Sequence, residues 1–138
     1  MHVRVTRSVA ADVEAAWAVL SDVEHWPSWT RSMSSIRLDG GLEVGAVATI
    51  RQPRVVPTAW RVVEVEPGRS FAWENDLAGI HTVAHHEVEP AAAGTSTLTL
   101  TLDQTGPLAG PMRLLTGRMT RRYLDMEADG LAAAAAAR

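Results

Sequence analysis

The sequence contains no cysteine and no lysine. Without cysteine the chain can form no disulfide, has no thiolate nucleophile and offers no sulfur ligand to a metal. Without lysine it can form no Schiff base through a side-chain amine, and all thirteen of its cationic side chains are arginine. The formal net charge is −3, so the basic excess that phosphate-backbone binding requires is missing and we expect no nucleic-acid partner.

Long apolar runs are absent as well. No stretch approaches the ~20 residues of a membrane-spanning helix, and Met1–Val5 alternates where a signal peptide would be apolar. We therefore expect no membrane span and a cytoplasmic location. The chain also lacks a glycine-rich phosphate-binding loop, and Gly68–Ala72 lacks the final glycine of a nucleophile elbow. No cofactor is expected.

With 138 residues the chain has the size of one domain, which we assign to residues 1–138. The alternating valines Val3, Val5 and Val9 predict a first strand. Apolar spacing predicts a short helix at about Asp12–Leu20. Ser21–Glu24 has capping-box spacing and predicts the start of a second short helix, which Pro27 keeps brief.

From residue 33 to residue 102 the pattern is that of strands separated by turns. Glu66–Arg69 has Pro and Gly at the central positions of a type II turn, which predicts a hairpin of Trp60–Val65 with Ser70–Asn75. Glu89–Thr95 predicts the next hairpin loop, and Thr97–Leu102 alternates strictly between threonine and leucine.

Helical spacing returns near Pro111 and predicts a C-terminal helix of about 25 residues through the alanine-rich tail. Its apolar stripe predicts that Met112, Leu115, Met119 and Met126 face the sheet, and that Arg118 and Arg121 face water. Tyr123 and Gly130 lie on the same stripe. The element order predicts an α+β fold: a curved antiparallel sheet of six to seven strands around a long C-terminal helix, with two short helices after the first strand.

Several local motifs, taken in order, resemble those of a known superfamily. They are Asp22-x-Glu24-x-Trp26-Pro27-x-Trp29; Trp60-x-Val62-x-Glu64 with Pro67-Gly68 and Phe71-x-Trp73; Gly94-Thr95; and Tyr123, Glu127 and Leu131 at four-residue spacing. The chain resembles the START-like (SRPBCC) superfamily, in its polyketide cyclase/dehydrase-like branch. The resemblance implies the helix-grip fold and an internal cavity for lipids, sterols, polyketides or other apolar ligands. Family aromatase/cyclases tend to carry an inward arginine on a mid-sheet strand, and Phe71–Asn75 has none.

Side-chain faces follow from the two hairpins. Pairing Val65 with Ser70 places Arg61 opposite Glu74 on the outer face. The inner face then carries Trp60, Val62, Glu64, Phe71, Trp73 and Asn75, although solvent exposure is favoured for Glu64 because it lies near the hairpin end. Pairing Glu89 with Thr95 places His86 opposite Leu98 on the inner face, and His81 and His85 outside. The pattern leaves open which pair on the preceding strand points inward, Thr49 and Arg51 or Ile50 and Gln52.

Five tryptophans in a chain with one phenylalanine and one tyrosine supply the candidate ligand contacts. Trp60 and Trp73 lie on adjacent strands, where they can stack on a flat ligand, and Trp29 lies beside Pro27, where a cavity mouth is expected. Trp17 is assigned to the core. The full set of candidate ligand-binding residues is Trp29, Trp60, Trp73, Asn75, His86, Met119 and Tyr123.

No metal site is expected, because neighbouring strand residues such as His85 and His86 point to opposite faces and His81 lies ~13 Å from His85 along a strand. The catalytic residues are unknown; His86 and Tyr123 are the candidates, each with a structural role as the alternative. The leading function is binding of an apolar polyketide-, lipid- or sterol-like molecule. The alternatives are a cyclase, aromatase or dehydratase in the same cavity, and a protein-interaction module. A homodimer is compatible with the sequence.

Overall fold

The computed structural model describes residues 1–53 and 56–138. The described residues form strands β1 (His2–Val9), β2 (Ser35–Leu38), β3 (Val47–Arg51), β4 (Thr58–Glu66), β5 (Ser70–Leu77), β6 (Ile80–Pro90) and β7 (Ser96–Thr105). Helix α1 (Val13–Ser21) and a 3-10 helix (Val23–Ser28) follow β1, and helix α2 (Ala109–Ala136) ends the chain. No helix in this part of the chain is long and apolar enough to cross a membrane.

All seven strands form one antiparallel sheet in the order β1-β7-β6-β5-β4-β3-β2. Neighbouring strands are consecutive in sequence except at β1, which pairs with β7. The alternating strands bury one face as predicted: the valines of β1 and the leucines of β7 are both buried. The concave inner face of the sheet therefore lies under α2, as the sequence predicts.

The hairpin between β4 and β5 has the predicted turn and a different register. Gly68 has a φ of +82°, and the Arg69 N–H donates to the Glu66 carbonyl at 3.0 Å, as a type II turn requires. The turn pairs Glu66, not Val65, with Ser70, and a bulge between Val62 and Glu64 restores the predicted Arg61–Glu74 pair. The bulge also turns Glu64 to the solvent side, where it lies 3.9 Å from His85. Placing Glu64 on the inner face was therefore wrong, and the expected exposure is correct.

The hairpin between β6 and β7 is shifted by two residues from the predicted pairing. Glu89 pairs with Thr97 and His86 pairs with Leu100, rather than with Thr95 and Leu98. Because side chains alternate with a period of two, a shift of two residues keeps every face. His86 therefore points inward, as predicted, despite the wrong partner.

Both predicted short helices are present, but only the first has a side-chain cap at its N-terminus. The Asp12 carboxylate accepts the Ala15 N–H at 2.8 Å and caps α1. The predicted capping box at Ser21–Glu24 is not formed: the 3-10 helix has no side-chain cap, and Glu24 accepts the Leu38 N–H at 3.2 Å instead. Pro27 lies inside the 3-10 helix, which ends one residue later at Ser28.

The packed face of helix α2 matches the predicted stripe only in part. Its buried residues in the C-terminal half are Leu124, Glu127, Ala128, Leu131 and Ala135. Leu115 is 80% exposed, so its predicted packing on the sheet was wrong. Met126 is only half-buried, whereas Arg118 and Arg121 are exposed as predicted. Met112 and Met119 do face the sheet across the cavity, as predicted, and the rest of the inner face is built from threonine, alanine and one glutamate as well as leucine.

Two contacts attach the C-terminal half of α2 to the rest of the fold. Arg7 of β1 donates to Asp129 at 2.8 Å and to Asp125 at 3.1 Å. Gly130 lies so close to Trp29 that an added Cβ would be 2.3 Å from the Trp29 carbonyl oxygen. The helix can therefore approach the 3-10 segment only because residue 130 has no side chain.

Candidate functional site

A cavity of about 380 Å³ lies between the concave face of the sheet and α2, from Met112 to Glu127. Its lining comes from β3 to β7, the turn between β5 and β6, and α2. Met112, Thr116, Met119 and Thr120 form the helical wall. The sheet side includes Ile50 and Gln52, which resolves the facing left open at β3: these two line the cavity, and Thr49 and Arg51 are exposed.

Aromatic rings form one side of this cavity. Trp73 is buried, and its ring centroid lies 5.6 Å from that of Trp26 and 5.0 Å from that of Phe71. Trp26 is held by a hydrogen bond from its Nε1–H to the Leu20 carbonyl at 3.0 Å. The cluster is rigid because each ring packs on several others, so it presents a preformed aromatic surface to the cavity.

Trp60 extends the aromatic surface toward β4. Its ring centroid lies 6.2 Å from that of Trp73, and its Nε1–H donates to Thr58 Oγ1 at 3.0 Å. Since the indole N–H is already paired within the protein, Trp60 offers mainly its apolar face to a ligand.

His86 lies within the aromatic cluster and lines the cavity. Burial lowers its pKa from 6.5 to about 3, so the ring is neutral at physiological pH. Its Nδ1 lies 3.3 Å from the Phe71 carbonyl oxygen. A carbonyl only accepts, so the proton is on Nδ1 and Nε2 is left as an acceptor.

Glu127 is the site residue that the sequence analysis did not select. It lies on α2, is 8% exposed and lines the cavity. Burial raises the pKa of its carboxyl to about 8. The available signal was its spacing: Tyr123, Glu127 and Leu131 lie four residues apart, which placed an acid on the same helical face as two buried or half-buried residues.

Tyr123 links α2 to the segment that follows β3. Its ring lines the cavity, and its hydroxyl donates to the Pro53 carbonyl at 2.8 Å. The phenol is therefore engaged in a structural contact at the cavity wall, and its ring is the part available to a ligand.

Six of the seven candidate ligand-binding residues line the same cavity: Trp60, Trp73, Asn75, His86, Met119 and Tyr123. Trp29 is not among the lining residues; it packs against Gly130 and lies 5.6 Å from Trp26 by ring centroids. Its expected place at a cavity mouth was wrong because the 3-10 segment packs under the C-terminal half of α2. Trp17 packs against the core as expected, although it is only half-buried.

The histidines on the outer face pair with acids. His81 lies 2.7 Å from Asp76 and 3.3 Å from Glu74, and His85 lies 3.9 Å from Glu64. Within residues 1–53 and 56–138, no group of three or more histidine or acidic side chains is arranged to hold a metal ion.

A single antiparallel sheet that closes around one long C-terminal helix, with a cavity between them, defines the helix-grip fold. The chain belongs to the polyketide cyclase / dehydrase and lipid transport family, whose model matches residues 1–136. No curated protein sequence matches the chain.

Solved structures of the same fold include proteins of distant sequence. The ZhuI aromatase/cyclase from Streptomyces sp. R1128 has a TM-score of 0.80 at 17% identity, covering 98% of this chain and 93% of that one. Truncated norcoclaurine synthase from Thalictrum flavum has a TM-score of 0.76 at 14% identity, covering 96% and 91%. A hypothetical protein from Helicobacter pylori has a TM-score of 0.82 at 16% identity, covering 96% and 86%. These likenesses confirm the predicted fold.

Proposed function

We propose that the cavity binds a neutral, mostly apolar small molecule with a flat ring system. The observation that carries this proposal is the preformed aromatic surface of Trp60 and Trp73 on a cavity with no arginine among its described lining residues. The family's description, which joins polyketide chemistry and lipid transport, supports the same class of ligand.

The size of the cavity favours small ring systems. Its volume of about 380 Å³ lies near the lower end of the ~300–1,000 Å³ typical of small-molecule sites. A polyketide-like molecule of two or three fused rings therefore fits better than a sterol with its side chain. Burial of ~300 Å² of such a ligand contributes ~7 kcal/mol gross at 25 cal/mol/Å². Association entropy offsets several kcal/mol of this, so we expect micromolar dissociation constants.

The proposal is tested by titration with 1,8-dihydroxyanthraquinone, palmitate and cholesterol, followed by tryptophan fluorescence and thermal unfolding. The anthraquinone should bind most tightly and raise Tm. Trp73→Leu should weaken its binding at least tenfold, because that ring forms the cavity surface. The matched control is Trp17→Leu, which removes a half-buried indole outside the cavity and should leave affinity per folded molecule unchanged. Failure of all three compounds to bind, or equal losses in the two variants, would contradict the proposal.

A second function, cyclisation or dehydration of a polyketide-like substrate, is favoured by one observation. The same cavity holds a neutral imidazole with a free Nε2 acceptor and a carboxyl that keeps its proton at neutral pH. The carboxyl can act as a general acid toward a carbonyl oxygen. His86, with a pKa of about 3, is too weak a base for proton abstraction at neutral pH, but its Nε2 can accept a hydrogen bond and position the substrate. Incubation with a linear poly-β-ketone thioester, with product mass as readout, tests it. Turnover should be lost in Glu127→Gln and lowered in His86→Phe; unchanged turnover in both would reject Glu127 as the acid and His86 as the positioning residue.

A further inference from the structure

Glu127 differs from the other acids of α2 in having no partner among the described residues. Asp125 and Asp129 both bond Arg7 at the protein surface. The Glu127 carboxyl makes no hydrogen bond or ion pair with any described residue, and burial is the sole cause of its raised pKa. It is also more than nine-tenths buried and lines the cavity.

An unpaired carboxyl in this position weakens the fold. Taking a polar group out of water without a hydrogen bond costs free energy, and leucine or methionine would pack the same helical face without that cost. Glu127 holds no strand, cap or turn in place. Because no described residue bonds its carboxyl, the cavity is the place from which a ligand can do so.

The charges around Glu127 determine which chemistry that molecule presents. The titratable side chains of the cavity are His86 on β6 and Tyr123 on α2, whereas His85 borders the cavity and lies near Glu64 on the outer face. The described lining contains no arginine. On the surface of α2, Asp125 and Asp129 are each bonded to Arg7. At neutral pH the carboxyl keeps its proton, so it offers an O–H donor as well as a carbonyl acceptor.

We propose that Glu127 donates its carboxyl hydrogen to a carbonyl oxygen of a neutral apolar ligand, and that it selects ketone-bearing ligands over hydrocarbons and carboxylates of the same shape. The inference rests on the proposed binding function and names the polar group that the ligand carries. A ligand carboxylate would enter an apolar cavity whose described lining has no arginine to meet it, so it binds more weakly. A hydrocarbon offers the Glu127 O–H no acceptor.

Four matched naphthalenes test the selectivity: 2-acetylnaphthalene, 2-isopropylnaphthalene, 2-naphthoate and 2-(aminomethyl)naphthalene. At pH 6.5 the ketone should bind about 5- to 10-fold more tightly than the hydrocarbon, the range expected for one hydrogen bond of this kind. Naphthoate should bind more weakly than the hydrocarbon. The preference for the ketone should decline between pH 7 and pH 9, as the carboxyl loses the hydrogen that it donates.

Variants separate an anchoring role from a structural one. Glu127→Gln keeps an N–H donor at every pH, so it should retain the ketone preference and lose its pH dependence. Glu127→Met should bind ketone and hydrocarbon equally. Asp129→Asn, which changes a surface acid on the same helix, should behave as the wild type. If Glu127→Met does not fold, the pH profiles of the wild type and Glu127→Gln decide the question alone.

Three results would overturn the inference. Equal binding of ketone and hydrocarbon by the wild type would show that the carboxyl does not contact the ligand. Tightest binding of the aminomethyl compound, lost in Glu127→Gln, would show that the residue acts as an anion. Failure of ketone and hydrocarbon alike to bind would refute the proposed binding function itself, which the hydrocarbon tests independently of Glu127.

Discussion

The imidazole of His86 lies almost parallel to the phenyl ring of Phe71, with ring centroids 4.3 Å apart and planes 13° from parallel. The two residues face each other across paired strands, and Nδ1 of His86 lies 3.3 Å from the Phe71 carbonyl oxygen. One neighbour therefore supplies both a stacking surface and an acceptor. This arrangement fixes the ring orientation. Burial favours the neutral form and outweighs the hydrogen bond to the Phe71 carbonyl, which raises the pKa.

The neutral state of His86 makes stability depend on acid. The pKa is about 3 in the folded protein and 6.5 in the unfolded chain, so the unfolded chain binds a proton first as pH falls. The free energy of unfolding should therefore decrease by about 2 kcal/mol between pH 7 and pH 5 from this residue. Urea unfolding across that range should show a smaller decrease for His86→Phe, which keeps a ring but cannot be protonated. Parallel pH profiles for the two proteins would contradict a buried neutral imidazole.

Glu127 should have the opposite pH dependence. Its pKa is about 8 folded and 4.5 unfolded, so the folded protein keeps a proton that the unfolded chain releases. Stability should fall as pH rises from 4.5 to 8, by roughly 4 kcal/mol at 1.36 kcal/mol per pKa unit. Glu127→Gln should remove this loss and be more stable than the wild type at pH 8. A variant equal to or less stable than the wild type at pH 8 would show that the carboxyl is solvated.

Two glycines of α2 provide a matched pair of substitutions. Gly130→Ala would place a Cβ 2.3 Å from the Trp29 carbonyl oxygen and 2.7 Å from its Cε3, so it should destabilise the fold by about 2 kcal/mol or more. Gly117→Ala places its Cβ no closer than 3.8 Å to any neighbour, and helix propensity should stabilise it by ~0.5–1 kcal/mol. Thermal unfolding of both variants checks the opposite signs. A tolerated Gly130→Ala would mean that Trp29 does not pack on the helix.

The two halves of α2 should also differ in their response to leucine substitution. Leu115 is exposed, so Leu115→Ser should change stability by less than ~0.5 kcal/mol. Leu124 is buried among core residues, and Leu124→Ala should cost ~2–4 kcal/mol. Chemical denaturation measures both. Similar losses of stability in the two variants would show that Leu115 is packed against the sheet as Leu124 is.

The sequence predicted the sheet well because its signals were local. The threonine–leucine alternation of β7 and the Pro67-Gly68 turn each specify a strand face or a turn type within a few residues. The registers were less accurate: the bulge after Val62 and the two-residue shift at His86 depend on which backbone groups meet across strands. Neither leaves a mark on the hydrophobic pattern.

The inner face of α2 was hidden for a different reason. Periodicity selects large apolar residues, so it selected Leu115 and Met126 together with Met112 and Met119, and only the last two line the cavity. The face that meets the cavity and core carries Thr116, Thr120 and Glu127, which are small or polar. A helix that walls a cavity need not bury large side chains there, so its apolar moment points away from the true direction.

The contact between Trp29 and Gly130 determines how a molecule could reach the interior. This contact and the Arg7 ion pairs hold the C-terminal half of α2 against the rest of the fold. Neither contact holds the half that begins at Ala109, which covers the cavity. We predict that a molecule enters where the first turns of this helix open outward, with residues near 124 as the pivot. Amide hydrogens of residues 112–119 should exchange with solvent faster than those of residues 124–135, and a bound molecule should slow the first group selectively. The rates at which a ligand enters and leaves the cavity should then depend on the N-terminal half of α2 rather than on the sheet.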